Sequence, residues 1–396
     1  MLPIAISVTT AAQLIAWGAL AILVYAYFGY PALLYLLAWS RRPAPWAVGE
    51  QQPPVTVLVA AWNEQDVIAE KIENTLSQDY PPNLLDVIVV SDGSTDDTDE
   101  IVQRYAKETG RLRLLRTAGR QGKSVALNVG VTHTSRDVIV MTDANAMFER
   151  DAVAKLVRAI SDPKIGAVSG QLHYHAGEGT ADTEGAYWRY EQKVKRLESS
   201  LGSLLGANGS IYAIRRELVP SLHPREVNDF RVPYEALLRG HAVVLEPTAI
   251  SSEPAAPSLL AEYRRKVRIM SRAIPMMIAL VWTTLRHGRS FALWQLISHK
   301  LLREVQGVFF IAMLLGAGWG LMLGDVLLSA FLAGQAGLYL LGVLGWAVPA
   351  VSRFRLARLA AHFDMIVLAS VMALCLYATG QVKSTWQPAR PAERVE

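Results

Sequence analysis

Four long stretches of this chain carry no Asp, Glu, Lys or Arg, and they constrain everything else. They are residues 1–40, Val305–Gly324, Val326–Ser352 and Met365–Val382. A helix of roughly 20 apolar residues crosses the hydrocarbon core of a bilayer, and Ala11–Trp39 exceeds that length. A cleaved signal peptide needs a basic start and a short apolar core. The start here has neither, so the reading is an uncleaved anchor. Arg41 and Arg42 follow the first run, and Arg353, Arg355 and Arg358 separate the last two. Lys and Arg concentrate on the cytoplasmic side. That places the middle of the chain inside, Asp325 outside and the tail after Gln381 outside. The expectation is an integral protein of the bacterial inner membrane with a cytosolic domain.

The 52% hydrophobic content sits mainly at the two ends. A net charge of +4 and the absence of any recognisable binding motif argue against nucleic acid as a partner. Cys375 is the single cysteine, which rules out an internal disulfide and argues against zinc. A transporter reading is poor, because it needs ionisable groups inside the spans and the four runs have none.

From Pro54 to about Pro247, short apolar runs alternate with amphipathic stretches. Val55–Ala61, Leu85–Val90, Leu112–Leu115 and Val138–Met141 read as strands. Glu64–Ser77, Asp96–Ala106 and the stretch through Val125–Val129 read as helices, with Ser94 or Thr95 as a cap. Continuous apolar strands imply burial on both faces. The fold class is therefore α/β, a Rossmann-like, mostly parallel sheet with helices on both sides. In such sheets ligands sit beyond the carboxyl ends of the strands. That points to Trp62-Asn63-Glu64, Asp92-Gly93-Ser94 and Asp143-Ala144-Asn145. No GxGxxG is present. Gly122-Lys123-Ser124 fails as a phosphate loop, because Thr117 stands where the earlier glycine belongs.

At these residues the chain resembles the family 2 glycosyltransferases, the group of cellulose, hyaluronan and poly-N-acetylglucosamine synthases. The resemblance rests on Val57–Glu64, Val89–Thr98, Gly122–Asn128, Asp143–Asn145, Val227–Phe230 and Arg264–Arg268, in that order, with Ser298–Arg303 and Trp386–Arg390 as later landmarks. It implies a GT-A fold, a nucleotide-diphosphate sugar donor, with UDP as the favoured nucleotide, and a divalent metal, Mg²⁺ or Mn²⁺. Asp143 and Asn145 fall at the metal-binding Asp-x-Asp of the family, with the second carboxylate replaced by an amide. An Asx turn is the structural alternative there. Asp92 is similar to the residue that contacts base or ribose, unless it serves as a helix cap. Ala60, Asn63 and Glu64 would line the same donor pocket. Lys123 would neutralise phosphate at a helix start, or else be a solvated surface lysine.

An acceptor hydroxyl must lose a proton as it attacks, and a carboxylate is a competent base. Asp229 matches the family aspartate, with Asn228 in place of the preceding acid and Glu226 and Glu235 as rivals; a helix N-cap is the alternative. One base and direct displacement imply inversion. Tyr263–Arg303 holds nine Lys or Arg and no acid, the makeup of an interfacial helix. The Gln-x-x-Arg-Trp signature of the family reads Arg265-Lys266-Val267-Arg268-Ile269. Arg265 and Arg268 are candidates for donor phosphates, against a cationic face that snorkels. Asn208 and Gly209 fall at an acceptor-side loop or a plain turn, and His173 and His175 read as structural.

The expected organisation is an anchor at 1–40, a linker at 41–53, the GT-A domain at 54–257, interfacial helices at 258–303, three spans at 304–382 and a polar tail at 383–396. The expected activity is transfer of a sugar to a lipid or glycan acceptor at the bilayer, with polysaccharide synthesis included in that range. The alternative is a non-catalytic nucleotide-binding subunit of a synthase complex, suggested by Asn145, Asn228 and Ile269.

Overall fold

The structure, a computed structural model, describes residues 8–41, 46, 49, 52–175, 181–254 and 258–382. The tail landmark Trp386–Arg390 and most of the linker lie outside the described residues. The strands are β1 (Val55–Ala61), β2 (Leu85–Ser91), β3 (Leu112–Arg116), β4 (Val138–Asp143), β5 (Met147–Phe148), β6 (Ile165–His175), β7 (Tyr212–Arg215) and β8 (Ala242–Pro254). They form one sheet in the order β3-β2-β1-β4-β7-β6-β8-β5. The first four are parallel, as the apolar runs predict. Beyond β4 the sheet is mixed. β7 runs antiparallel to β4 and β6, β6 is parallel to β8, and β5 is antiparallel to β8.

Alternate residues of the parallel strands enter two cores. On one face Leu58, Ile88, Ile139 and Met141 pack with α5 (Lys123–Thr132) and with Tyr234 and Leu237 of α8 (Asn228–Leu238). On the other, Val57, Val59, Val87 and Val89 meet Ile68 and Ile72 of α3 (Ile68–Leu76), Val102 of α4 (Thr98–Thr109), and Leu156 and Val157 of α6 (Ala152–Ile160). Period-two alternation sends successive side chains to opposite faces, so a run apolar throughout suits a strand covered on both. The expected cap of α4 is corrected: Asp96 Oδ1 accepts from Thr98 N at 3.1 Å, in place of a bond from Ser94 or Thr95.

The apolar runs form long helices. α1 (Val8–Val24), a π turn (Tyr25–Gly29) and α2 (Tyr30–Arg41) make one rod. Between β6 and β7 lies α7 (Ala181–Ser200), and after β8 comes α9 (Leu259–Arg286). α10 (Ser290–Gln295), a π turn (Leu296–Leu301) and α11 (Leu302–Glu304) then lead into α12 (Gln306–Met322), α13 (Val326–Ala347), the short α14 (Pro349–Ser352) and α15 (Arg355–Ala378). Among the described residues, three helices are long and apolar enough to cross a membrane: Val8–Arg41, Val326–Ala347 and Arg355–Ala378. The Val305–Gly324 run differs from a simple span. α12 is joined to Ser290–Glu304 at a 62° bend, and the pair makes a fourth crossing only as a broken span. The expectation of charge-free spans is also corrected, because α15 contains Asp364, 7% exposed and with no hydrogen-bond partner at either carboxylate oxygen.

The α1–α2 rod is tied to the α/β domain by polar bonds. Tyr30 donates to Glu198 of α7 at 2.6 Å, and His299 Nδ1 lies 2.6 Å from the same oxygen. Arg303 and Lys300 pair with Glu191 at 3.0 and 3.2 Å. Within the apolar layer, close approach of small residues replaces such bonds. A Cβ on Gly316 of α12 would lie 2.8 Å from the Ala16 backbone nitrogen. Gly316→Leu must therefore push α1 off α12 at a cost of about 1–3 kcal/mol. Thermal unfolding in detergent should show a lower midpoint for Gly316→Leu, while Gly318→Leu, which meets nothing within 4 Å, should unfold like the parent.

Candidate active site

Three loops at the carboxyl ends of β1, β2 and β4 make the frame. After β1, Asn63 adopts φ 53°, the left-handed region that Asn tolerates. Its side-chain oxygen accepts from Thr95 N at 2.8 Å, and its own N–H donates to Ser94 Oγ at 3.1 Å. Glu64 N donates to Thr98 Oγ1 at 2.7 Å. The first two loops are thus sewn together, with Ala60 buried at the end of β1. Asp92 is fully buried. Its carboxylate accepts from Gln121 N at 2.8 Å, Gly122 N at 2.7 Å and the Thr117 hydroxyl at 3.1 Å. These bonds hold the 117–122 loop against β2; none of them caps a helix. Gly93, at φ 70°, lets that loop close, since a Cβ there would lie 2.7 Å from the Gly119 carbonyl carbon. Arg120 lies over the Trp62 ring, 3.4 Å from its centroid.

Gly122, pinned by Asp92, starts α5, whose first residue Lys123 forms an ion pair with Asp143 at the end of β4. Beneath the Asp143–Ala146 turn lies Lys71 of α3, fully buried. Its Nζ donates to Thr142 Oγ1 at 2.9 Å and to the Ala146 carbonyl, and it sits 3.8 Å from the Phe148 ring centroid. Burial pushes the Lys71 ammonium down to about 7, against the pull of Asp143 and Glu253. Glu253 comes from β8, in the mixed half of the sheet. Met147 pairs with Ser252, so Glu253 lies beside Ala146 and the turn. Burial and the Asp143 charge raise its carboxyl to about 7, offset by Lys123, Arg265 and Lys71.

Asp229 is the second residue of α8, whose N-cap is Val227 with no side-chain cap bond. Its backbone carbonyl accepts from Ala207 N at 2.7 Å, and a Cβ on Gly209 would lie 3.1 Å from its Oδ2. The 206–210 loop therefore rests directly on this carboxylate. Burial and Asp143 raise the Asp229 carboxyl above the ordinary range, and Lys123 and Lys195 oppose the rise. The Asn208 side chain is engaged inward. It accepts from Lys195 Nζ at 3.0 Å and donates to the Gly170 carbonyl. Glu226 and Glu235, the rival acids, both pair with Arg231, and Glu235 also pairs with Arg239.

The arginines of α9 divide. Arg265 makes a bidentate pair with Glu262 at 2.6 and 2.7 Å. Glu262 lies one residue before the acid-free stretch, which is why the sequence left that pair out of view. Arg268 stands within the fields of both Asp143 and Asp229, and burial together with Arg265 lowers its pKa. Arg272 reaches the loop before α8. Among the predicted residues, then, Lys123, Asp143, Asp229 and Arg268 gather, Asn145 flanks them on the turn after β4, and Ala60, Asn63, Glu64 and Asp92 build the wall beside them. Sequence reasoning missed Lys71, Lys195 and Glu253. None stands in a strand-end loop of the parallel half, and only the register of β8 reveals Glu253.

The donor set fits a hard divalent cation. Asp143, Asn145 and Glu253 offer oxygen ligands around one turn, and such ions fill the rest of their shells with water and phosphate. Among the described residues no group of three or more His, Cys, Asp or Glu forms a complete cage.

Comparison with known proteins agrees with this geometry. Residues 56–221 match the family model described as glycosyl transferase family 2. A beta-monoglucosyldiacylglycerol synthase of Nostoc sp. is 30% identical over 232 residues, covering 56% of this chain and 48% of that protein. A poly-beta-1,6-N-acetyl-D-glucosamine synthase of Staphylococcus aureus is 24% identical over 270 residues, covering 66% and 64%. The chain thus spans about half to two thirds of the length of these relatives. A mannosyltransferase of Pyrobaculum calidifontis, solved with GDP-Man and Mn²⁺, superposes with TM-score 0.71 at 24% identity, over 93% of this chain and 99% of that one. That likeness shows the GT-A fold.

Because the Asp92 carboxylate holds the 117–122 loop, Asp92→Ala should free the amides of Gln121 and Gly122. Their hydrogen exchange should speed up by about tenfold or more, the size of a lost charged hydrogen bond. Exchange in β1 and β4 should stay as in the parent.

Proposed function

Because residues 56–221 match the family model described as glycosyl transferase family 2, we propose that the chain is a membrane-bound inverting glycosyltransferase. It takes a nucleotide-diphosphate sugar, a UDP-sugar in the first instance, and transfers the sugar to a lipid or glycan acceptor at the cytosolic membrane face. The observation that supports this best is the gathering of Asp143, Lys123, Arg268 and Asp229 at one end of the sheet, under a helix that packs on the membrane segment. The two relatives, named for a glycolipid and a glycan product, support the acceptor class.

In this reading the donor diphosphate lies between the Asp143 turn and the start of α5. The N–H groups at the head of α5 and the Lys123 ammonium face its negative charge. Lys123 leaves Asp143 for the phosphates as they arrive. Asp143, Asn145 and Glu253 are the residues to hold a divalent cation, which when bound neutralises charge on the leaving diphosphate. Arg268 offers a second cation, aimed from α9. Asp229 accepts the proton of the acceptor hydroxyl as that oxygen bonds to the anomeric carbon. The bond from that carbon to the diphosphate breaks on the opposite face, which inverts the configuration. Gly209, on the proposed acceptor side, lies against Asp229, where a Cβ would come within 3.1 Å of its Oδ2. The arrangement supports catalysis over a purely structural subunit, because a half-buried carboxylate with a raised pKa beside two lysines is the profile of a poised base.

Purified full-length protein in nanodiscs, screened against UDP-, GDP- and other nucleotide-activated sugars, should release nucleoside diphosphate with one of them. Asp229→Asn should lower kcat by about 10³-fold, in the range of a lost general base, with donor affinity retained. Silence across the donor panel, or an active Asp229→Asn, contradicts the reading.

The pH profile follows from the same group. Asp229 works ionised, so kcat falls as pH drops through its raised pKa. Lys123 lowers that pKa. Lys123→Met should therefore move the acid limb of kcat to higher pH; a limb that stays put or moves down removes Asp229 from that role.

A further inference from the structure

Arg272 lies one helical turn beyond Arg268 on α9 and is 8% exposed. Its guanidinium meets main-chain oxygens. Nη2 donates to the Glu226 carbonyl at 2.7 Å and to that of Pro224 at 3.3 Å, and Nε donates to that of Arg225 at 3.2 Å. These three consecutive residues lead through Val227 into α8, where Asp229 sits. The Glu226 carbonyl takes a second donor, Ser124 Oγ at 2.8 Å, from α5 just after Lys123. One carbonyl therefore joins the donor-side helix, the base-bearing helix and α9.

The residue type matters here. Burying a charge is costly, and three carbonyl dipoles would be satisfied by less expensive donors. A guanidinium supplies five N–H groups in a rigid plane, so one side chain can span three successive carbonyls. Lysine, with a single nitrogen on a flexible stem, cannot reproduce that spread. The anchorage of α9 explains what is being joined. Met270 and Ile274 pack on Ala369 and Ala373 of α15, one of the membrane-crossing candidates. Ala273, Met276, Met277 and Leu280 enter the core that contains Tyr234 and Leu237 of α8. α9 is thus wedged between a membrane helix and the base helix, and Arg272 is its polar tie to the latter.

We propose that Arg272 is a positioning residue that fixes the Asp229 helix relative to α9, so that the base meets an acceptor presented at the bilayer surface. The proposal rests on the reading of Asp229 as the base. It assigns Arg272 no contact with donor phosphate, because Nε and Nη2 are turned to the 224–226 carbonyls. An error of about 1 Å in placing a base costs on the order of 100-fold in rate.

The test uses full-length protein in nanodiscs with the donor found by the nucleotide-sugar screen. kcat, donor KM and thermal midpoint are measured for Arg272→Gln, Arg272→Lys and Ser124→Ala, with Asp229→Asn as reference. Arg272→Gln should lose about 10- to 100-fold in kcat, with donor KM within about threefold of the parent and the protein still folded. Arg272→Lys should recover only part of that loss. Ser124→Ala combined with Arg272→Gln should cost less than the product of the single effects, because both act on one carbonyl. If Arg272→Gln does not purify folded, Arg272→Lys carries the same kcat-against-KM reading. Parental kcat in a folded Arg272 variant, with Asp229→Asn inactive, overturns the proposal alone. A rise in donor KM as large as the fall in kcat also overturns it, since that marks a donor contact. An active Asp229→Asn overturns the base assignment, and the positioning role with it.

Discussion

Three carboxylates, Asp143, Asp229 and Glu253, share one partly buried site, and like charges held there must be compensated or neutralised. The compensation is local and specific. Lys123 reaches Asp143 from the head of α5, Lys71 supports the same turn from below, and Lys195 stands behind Asp229. Each lysine comes from a different helix, so the electrostatics of the site depend on the packing of α3, α5 and α7 around the sheet. Burial is the main cause that raises the Asp229 and Glu253 carboxyl groups, and the charge of Asp143 adds to it. A donor diphosphate with a divalent cation brings both signs of charge to that place. Under the proposed function, this is a physical reason for donor and cation to be taken together.

The second constraint is mechanical. Under the proposed function, a base that serves an acceptor in a bilayer must be held at a set height above the lipid. Here the α1–α2 rod, the α10–α11 segment and α7 are bound through Tyr30, Glu198, His299 and Glu191, with little exposure to water. α9 adds a second link, from α15 to α8. The first link reaches the sheet through α7, which packs on β8, and the second through α8, which packs on β6, β7 and β8, so the domain is held against the apolar helices at two points. Both π turns, Tyr25–Gly29 and Leu296–Leu301, fall at the first of these links. π turns inside longer helices often mark functional positions, and here they bring Tyr25 within 2.8 Å of Ser298.

The parallel half of the fold was legible because its strands are continuous apolar runs ending in polar loops. Asp92, Asp143 and the Asn63 loop could be named from that pattern alone. What each side chain does was less visible. Asp92 is a loop anchor in the structure because three donors from one segment converge on it, and no spacing rule announces that. Arg265 pairs with Glu262 at i−3, a signal present in the sequence but just outside the basic stretch considered. Glu253, Lys71 and Lys195 were missed for a common reason. Their roles arise from register and tertiary packing, which tie residues separated by tens of positions. The mixed half of the sheet was likewise hidden, since β6 and β8 are long strands whose pairing is interrupted by irregularities in register.

The central claim is that Asp143 and its neighbours bind a divalent cation together with a nucleoside diphosphate. Mn²⁺ electron paramagnetic resonance on the full-length protein tests it without turnover. Addition of UDP or GDP should convert free Mn²⁺ to a protein-bound signal in the parent, with that conversion lost in Asp143→Ala. An equal bound signal in parent and Asp143→Ala, with either nucleotide, would contradict the account.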